Sequence, residues 1–391
     1  MKKSLLALAV LGAFAGAANA QSSVTIYGIV DTGVVYQSKV ATTGGTGSKF
    51  GLNSGVIQGS RIGFKGVEDL GGGLSAVFQL ETGFSNDTGA LDDSKTSNTL
   101  FRRKSVVGLT GGFGSVLVGR QTDFADTISA YTAVQDFGGW VSNSGSGLDR
   151  LQGTRTNNSI SYTTNSLNGF TGNLMYGFGE TAGQTSAGQA FGIGGKYDNG
   201  PLGLGINYYQ SKAGSTAADT SLLGASGANS VGTNSNVSGS TAQKVLNVAA
   251  SYQFGPARVY GNYSRVKQDL NTQANLTNYA GVGSLTSVVN RTLARSKKAD
   301  IYELGTAYSL SPSLKLLAAV DHTRADFDGV STKAKLTQVS LGTDYWLSKR
   351  TDLYAFLAYT KASDLNNPGV SDATGTDGNQ GAVAVGIRHK F

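Results

Sequence analysis

Few residues in this chain could drive covalent chemistry. It has no cysteine and only two histidines, His322 and His389. His322 sits in VDHTRAD with Asp321 and Asp326 nearby, a composition that a His/Asp acid–base pair would use. No nucleophile or water-binding partner accompanies it, so a hydrolase stands only as an alternative. The glycine run GGGLSA (71–76) has the composition of half a phosphate-cradling loop. Such a loop must open a helix, and AVFQLE alternates like a strand, so Gly71 to Gly73 read as turn glycines. No cofactor or metal site is expected. The remaining chemistry is charge: in 61–67, Ile62 and Phe64 share one face, so Arg61 and Lys65 share the other.

The elements that place those charges follow from periodicity. Leu246, Val248, Ala250, Tyr252 and Phe254 alternate with Asn247, Ala249, Ser251 and Gln253; Tyr302 to Leu310 and Phe170 to Phe178 behave alike. Each such segment is a strand with one apolar face and one polar or small face, aromatics ending the apolar rows. Sixteen segments are expected, at 23–36, 58–68, 72–84, 98–110, 114–121, 158–165, 170–180, 189–198, 202–212, 242–254, 257–268, 298–310, 314–325, 336–347, 352–362 and 379–391. Connections alternate short and long. EDLGG, GGF, NSLNG, DNGP, GP, SPS and LSKRT alternate with 37–57, 85–97, 122–157, 181–188, 213–241, 269–297, 326–335 and 363–378. Three of the four prolines fall in the short set.

Short turns on one rim and long loops on the other describe a transmembrane antiparallel β-barrel, all-β, of about 16 strands. A soluble sandwich would not sort its connections this way. An open sheet would leave unpaired backbone groups in lipid, so the last strand must pair with the first. The first twenty residues, MKKSLLALAVLGAFAGAANA, read as a signal peptide: a basic start, an apolar run and a small-x-small cleavage site. Residues 21–391 are then a single barrel domain, exported to the outer membrane. The net charge of +7 is too dispersed for a nucleic-acid footprint.

Several stretches resemble the general porin family of Gram-negative outer membranes, trimeric sixteen-stranded diffusion channels. They are SRIGFKGVEDLGGGLSAVFQLETGF (60–84), FRRKSVVGLTGGFGSVLVGRQTDF (101–124), RTNNSISY (155–162) and VGIRHKF (385–391). The resemblance implies that the third long loop, 122–157, folds into the pore and sets its waist. The family's acidic loop tip matches Gln135-Asp136-Phe137-Gly138-Gly139, which makes Asp136 the loop carboxylate. The family's second acid falls on Thr132, a departure that weakens the negative side. Asp123, Asp126 and Asp149 are further acidic candidates. Arg61, Arg103 and Arg155 match lumenal arginines of the family. If Arg103 points inward, Arg102 and Lys104 point formally outward, which needs a bulge or a rim position. Arg120 is read as a loop anchor.

Further expectations concern the rest of the lumen, the rims and the partners. Outward Ile26, Gly28 and Val30 put Asp31 in the lumen. Tyr27 and Tyr209 also point inward, the start of the aromatic slide that an alternative, sugar-type channel would need. Arg291, Arg295, Lys297 and Lys298 form a basic run near the outer rim, either simply solvated or facing lipopolysaccharide. The loop 225–243 reads as Gly/Ser/Asn-rich surface. The resemblance also implies a homotrimer latched by 85–97, contact with outer-membrane lipid and lipopolysaccharide, and delivery by periplasmic chaperones to a barrel-assembly machinery that reads Phe391. Its solutes would be small, anionic or neutral.

Overall fold

The computed structural model describes residues 23–91, 100–141, 148–180, 182–183, 185–186, 188–212, 242–268, 291, 293, 296–366, 369–370 and 377–391. The expected signal peptide, the loop segments 92–97 and 225–241, and Arg295 lie outside the described residues.

The strands are β1 (Ser23–Thr42), β2 (Gly45–Ser54), β3 (Arg61–Gly71), β4 (Leu74–Gly83), β5 (Lys104–Gly111), β6 (Gly114–Thr122), β7 (Arg155–Thr163), β8 (Phe170–Gly177) and β9 (Ala190–Asn199). They continue as β10 (Leu202–Lys212), β11 (Ala242–Phe254), β12 (Ala257–Gln268), β13 (Lys298–Ser309), β14 (Leu314–Asp326), β15 (Ala334–Trp346), β16 (Thr351–Ser363) and β17 (Asn379–Lys390). Each pairs antiparallel with its neighbours, and β17 closes on β1 from Ile29 opposite Lys390 to Gln37 opposite Ala382. β2 and β3 share one position in the wall, since β1 pairs with β2 above Thr32 and with β3 below Ile29. The cylinder therefore has sixteen strand positions and closes on itself, which removes the free sheet edge that lipid would leave unpaired.

Two boundaries depart from the sequence reading by more than three residues. Residues 37–57 were expected as loop, yet β1 runs to Thr42 and returns as β2. Phe50 and Leu52 carry the outward alternation opposite Tyr36 and Val34, a two-residue signal diluted by the surrounding Gly, Thr and Ser. The expected strand 98–110 starts only at Lys104. At the tight turn after β3, Gly71, Gly72 and Gly73 all take positive φ, which glycine adopts without a Cβ clash.

Outward rows are apolar and exposed, as with Val24, Ile26, Leu304 and Val385, whereas Asp31, Asn207, Asn247 and Gln338 are buried on the inward rows. The strands tilt, so cross-strand rows climb round the wall. The row begun by Tyr252 near the short-turn rim of β11 passes Val259, Thr306, Ala318, Leu341 and Leu357 and reaches Val383 near the long-loop end of β17. At the seam, Gly28 and Phe391 exchange backbone hydrogen bonds of 3.0 and 3.1 Å. The Phe391 ring occupies the space a Cβ on Gly28 would need.

Candidate pore constriction

The loop after β6 enters the barrel and packs on its far wall. Asp123 caps the short helix Phe124–Ile128 by accepting the Ala125 N–H at 2.9 Å, and a second helix, Val134–Phe137, follows. The wall makes room by omitting side chains. Phe124 lies over Gly194, Tyr131 over Gly203 and Ile128 over Gly205, where a Cβ would come within 2.6 Å of Ile128. Phe137 and Trp140 are buried against Phe356, the Phe137 and Phe356 ring centroids 5.2 Å apart.

Polar contacts fix the same face. Arg258 Nη2 donates to Asp136 Oδ2 at 2.5 Å, the Ala133 N–H to Glu303 Oε1 at 2.7 Å, and Gln338 Nε2 to the Trp140 carbonyl at 3.0 Å. At the loop's return, Arg150 pairs with buried Asp123 and lies 3.7 Å from the Tyr209 ring centroid. Burial pushes the nearby Asp149 carboxyl up to about 6.

A second anchor comes from the near wall. Asp31 Oδ2 accepts the N–H groups of Ile57 and Gln58 at 2.9 and 2.7 Å, while Tyr354 donates to its Oδ1 at 2.7 Å. This fixes the bend 55–60 that separates β2 from β3. The bend then holds the loop tip, because the Gly139 N–H donates to the Ile57 carbonyl at 2.8 Å. Gly138 has φ of 54°, and a Cβ there would collide with that carbonyl.

Between the loop and the wall of β3, β4, β5 and β7 remains an opening of about 420 Å³. Arg61, Arg103, Lys104 and Arg155 line it on the wall side, with Glu81 among them and Asp126 on the loop opposite. Arg103 Nε donates to Glu81 Oε1 at 2.7 Å, and Arg61 Nη1 lies 3.9 Å from the same oxygen. Arg155 Nε reaches the Arg103 backbone carbonyl at 3.3 Å, so both arginines line the same opening.

Residues 7–365 match the family model for the Gram-negative porin. The chain belongs to this family. An outer membrane porin protein of Bordetella pertussis is 32% identical over 415 aligned residues, and outer membrane porin protein 32 of Delftia acidovorans is 34% identical over 411, each alignment covering 100% of both chains. Among solved structures, an anion-selective porin from Comamonas acidovorans superposes with a TM-score of 0.71 at 28% identity, covering 95% of this chain and 100% of its own. The OmpT of Vibrio cholerae in trimer form shares the fold, with a TM-score of 0.64 at 16% identity over 95% of this chain and 99% of that one. This porin lies in the outer membrane and its barrel forms a transport channel.

Several expected site residues do other work in the porin. Asp31 faces inward as its parity requires, but its carboxylate is consumed by the bend and Tyr354. Asp136 turns to Arg258 on the wall, away from the arginines, and Asp123 is buried against Arg150. Only Asp126 of the expected loop acids lines the opening. Lys65 points inward but sits below it, exposed, with Nζ 5.5 Å from the Tyr27 ring centroid.

The structure places Arg103 and Lys104 together at the opening, where an inward Arg103 was expected to turn Lys104 outward. Lys104 stands opposite Glu81 and faces the lumen, with Val107 and Leu109 exposed outside. Arg103 precedes the strand and escapes its alternation, so both residues reach the opening. Arg120 bonds the Arg102 carbonyl and Asn157. Glu81 was missed, although its inward parity beside Gln79 is legible in AVFQLE.

The alternatives fare poorly on geometry. Asp321 faces inward and His322 outward, and the two ring nitrogens of His322 meet Thr337 Oγ1 at 2.8 Å and Arg324 Nε at 3.4 Å, so the imidazole pairs with neither Asp321 nor Asp326. Tyr209 is buried, bonded to Thr156, and Tyr27 donates to Glu81, which leaves no aromatic track of the two. In the basic rim run, Arg291 contacts Asp364, Lys297 Asp328, and Lys298 Asp300.

Proposed function

We propose that the barrel is a passive, water-filled channel for small hydrophilic solutes that passes anions in preference to cations, and that it works as a homotrimer. One observation carries the selectivity: four cationic side chains, Arg61, Arg103, Lys104 and Arg155, meet at the opening against two carboxylates, Glu81 and Asp126. Clustered Lys and Arg favour anions, because a passing anion recovers there the charge interaction it gives up with water. Asp126 opposite the arginines adds a transverse field, which turns dipolar solutes as they cross. The anion-selective porin from Comamonas acidovorans supports the same sign. The trimer rests on the resemblance of the strand motifs to trimeric porins.

Planar-bilayer recording under a salt gradient tests the selectivity. A reversal potential of anionic sign is expected, and one of cationic sign overturns the reading. Cross-linking of the detergent-extracted protein should give three-subunit species; monomers alone would remove the trimer and leave the selectivity standing.

A further inference from the structure

Tyr27, Gly63 and Glu81 stand on one inward row of the wall, on β1, β3 and β4. Tyr27 is opposite Gly63, and Gly63 is opposite Glu81. Residues separated by a whole strand lie about 10 Å apart at the backbone, a gap that a tyrosine spans only if nothing stands between. Here the middle strand carries no side chain at the crossing. The Tyr27 ring lies over Gly63, where a Cβ would come within 2.4 Å of its Cζ, and the hydroxyl donates to Glu81 Oε2 at 2.9 Å.

The hydroxyl is itself held. Gln79 Nε2 donates to the Tyr27 oxygen at 2.5 Å, which leaves the phenolic proton to point at the carboxylate. Successive donors polarise one another, so Gln79 strengthens the bond from Tyr27 to Glu81. The two oxygens of Glu81 are thereby divided. Oε2 is tied to β1 through Tyr27, while Oε1 takes Arg103 at 2.7 Å and leaves Arg61 Nη1 at 3.9 Å, outside hydrogen-bond distance. Arg61 instead donates its Nε to the Gly59 carbonyl at 2.9 Å.

That division decides which cation of the opening is offset. A carboxylate with both oxygens available can accept from more than one arginine. With one oxygen occupied by a neutral donor, Glu81 offsets Arg103 and leaves Arg61 to face the passage. Resting on the anion selectivity proposed above, we propose that Tyr27 is a positioning residue of the filter: it holds Glu81 on Arg103 and so keeps Arg61 available to permeating anions. Gly63 belongs to the same device, being the gap through which the tyrosine reaches.

The experiment is a double-mutant cycle on the full-length protein in planar bilayers, read as reversal potential under a salt gradient. Tyr27→Phe removes one oxygen and keeps the ring over Gly63. The released carboxylate turns its second oxygen to Arg61, and the anion-to-cation permeability ratio should fall about twofold, less than for deletion of a whole charge. Gly63→Ala, which pushes the ring off its seat, should give the same fall. In a Glu81→Gln background neither substitution should move the reversal potential, because no carboxylate remains to be redirected. A merely structural role would act alike in both backgrounds. A wild-type reversal potential for Tyr27→Phe overturns the proposal, as does a rise in anion preference or a shift of the same size in the Glu81→Gln background. A wild type of cationic sign would overturn the selectivity reading instead, while the cycle still reads whether Tyr27 acts through Glu81.

Discussion

Asp31 and Ile57 are joined across the break in the second stave of the barrel, the carboxylate of one accepting the backbone N–H of the other at 2.9 Å. Because Ile57 in turn receives the Gly139 N–H, the inward carboxylate of β1 acts on the pore through the loop tip.

Asp31→Ala should therefore loosen the waist without changing the charges that line it. It strands the N–H groups of buried Ile57 and half-buried Gln58, at a cost of roughly 2–4 kcal/mol. Single-channel records should become noisier with unchanged selectivity, and the thermal transition should fall. A quiet channel of wild-type stability would show that the bend holds itself.

The arginines make a prediction of opposite kind. Arg155→Gln or Arg61→Gln should reduce the anion preference by up to about fivefold per charge, the equivalent of ~1 kcal/mol at contact distance in water. Lys65→Gln, below the opening, should leave the reversal potential nearly unchanged. Glu81→Gln should raise anion preference by freeing Arg103. An invariant reversal potential for Arg155→Gln removes that residue from the filter.

Two loop carboxylates should separate. Asp126→Asn should increase anion preference at constant stability, since Asp126 lines the opening. Asp136→Asn should instead weaken the loop's hold on Arg258 and act on stability and noise. Identical effects of both on the reversal potential would contradict the assignment.

Asp149 makes loop stability depend on pH. Its folded pKa, about 6, lies above the usual carboxylate value, so the folded state binds the extra proton between those two limits. Stability is complete below the ordinary carboxylate range and declines as pH rises through 6, where ionised Asp149 is buried. Asp149→Asn should flatten that slope and stabilise the loop at neutral pH, as read by thermal unfolding in detergent from pH 4 to 7.5. An unchanged slope would assign the effect elsewhere.

The seam gives a prediction about assembly. Deleting Phe391, or placing Leu at Gly28, should lower the yield of inserted barrel, because ring and glycine occupy one space. Molecules that do insert should conduct normally. Normal yield from the Phe391 deletion would exclude it as an assembly signal.

Alternation made the wall legible in the sequence, because each strand reports its own two faces. The strand positions other than β2, the inward Arg61 and Asp31, and the paired seam follow from it, whereas Arg155 rests on the resemblance, since a register shift between β6 and β7 puts Thr156 on the inward row. Parity gives direction, however, and not the partner at the end of the side chain. Nothing local to Asp136 announces Arg258, 122 residues away, nor does Asp31 announce Ile57. Arg103 and Lys104 defeated the alternation rule because the strand begins between them. β2 escaped because its only apolar signal is Phe50 and Leu52.

Clamping the loop to the far wall also decides which side of the waist can yield. Phe124, Ile128 and Tyr131 are seated over glycines, and Asp136, Ala133 and Trp140 are tied to the wall behind them. Arg61, Arg103 and Arg155 are long side chains whose guanidinium ends rest on the Gly59 carbonyl, Glu81 and the Arg103 carbonyl, contacts that a rotamer change can release. The aperture thus behaves as a fixed jaw facing three sprung ones, and its clearance follows the rotamers of the arginines. A solute slightly too wide would be admitted at the cost of side-chain entropy, making the size cut-off gradual and dependent on temperature.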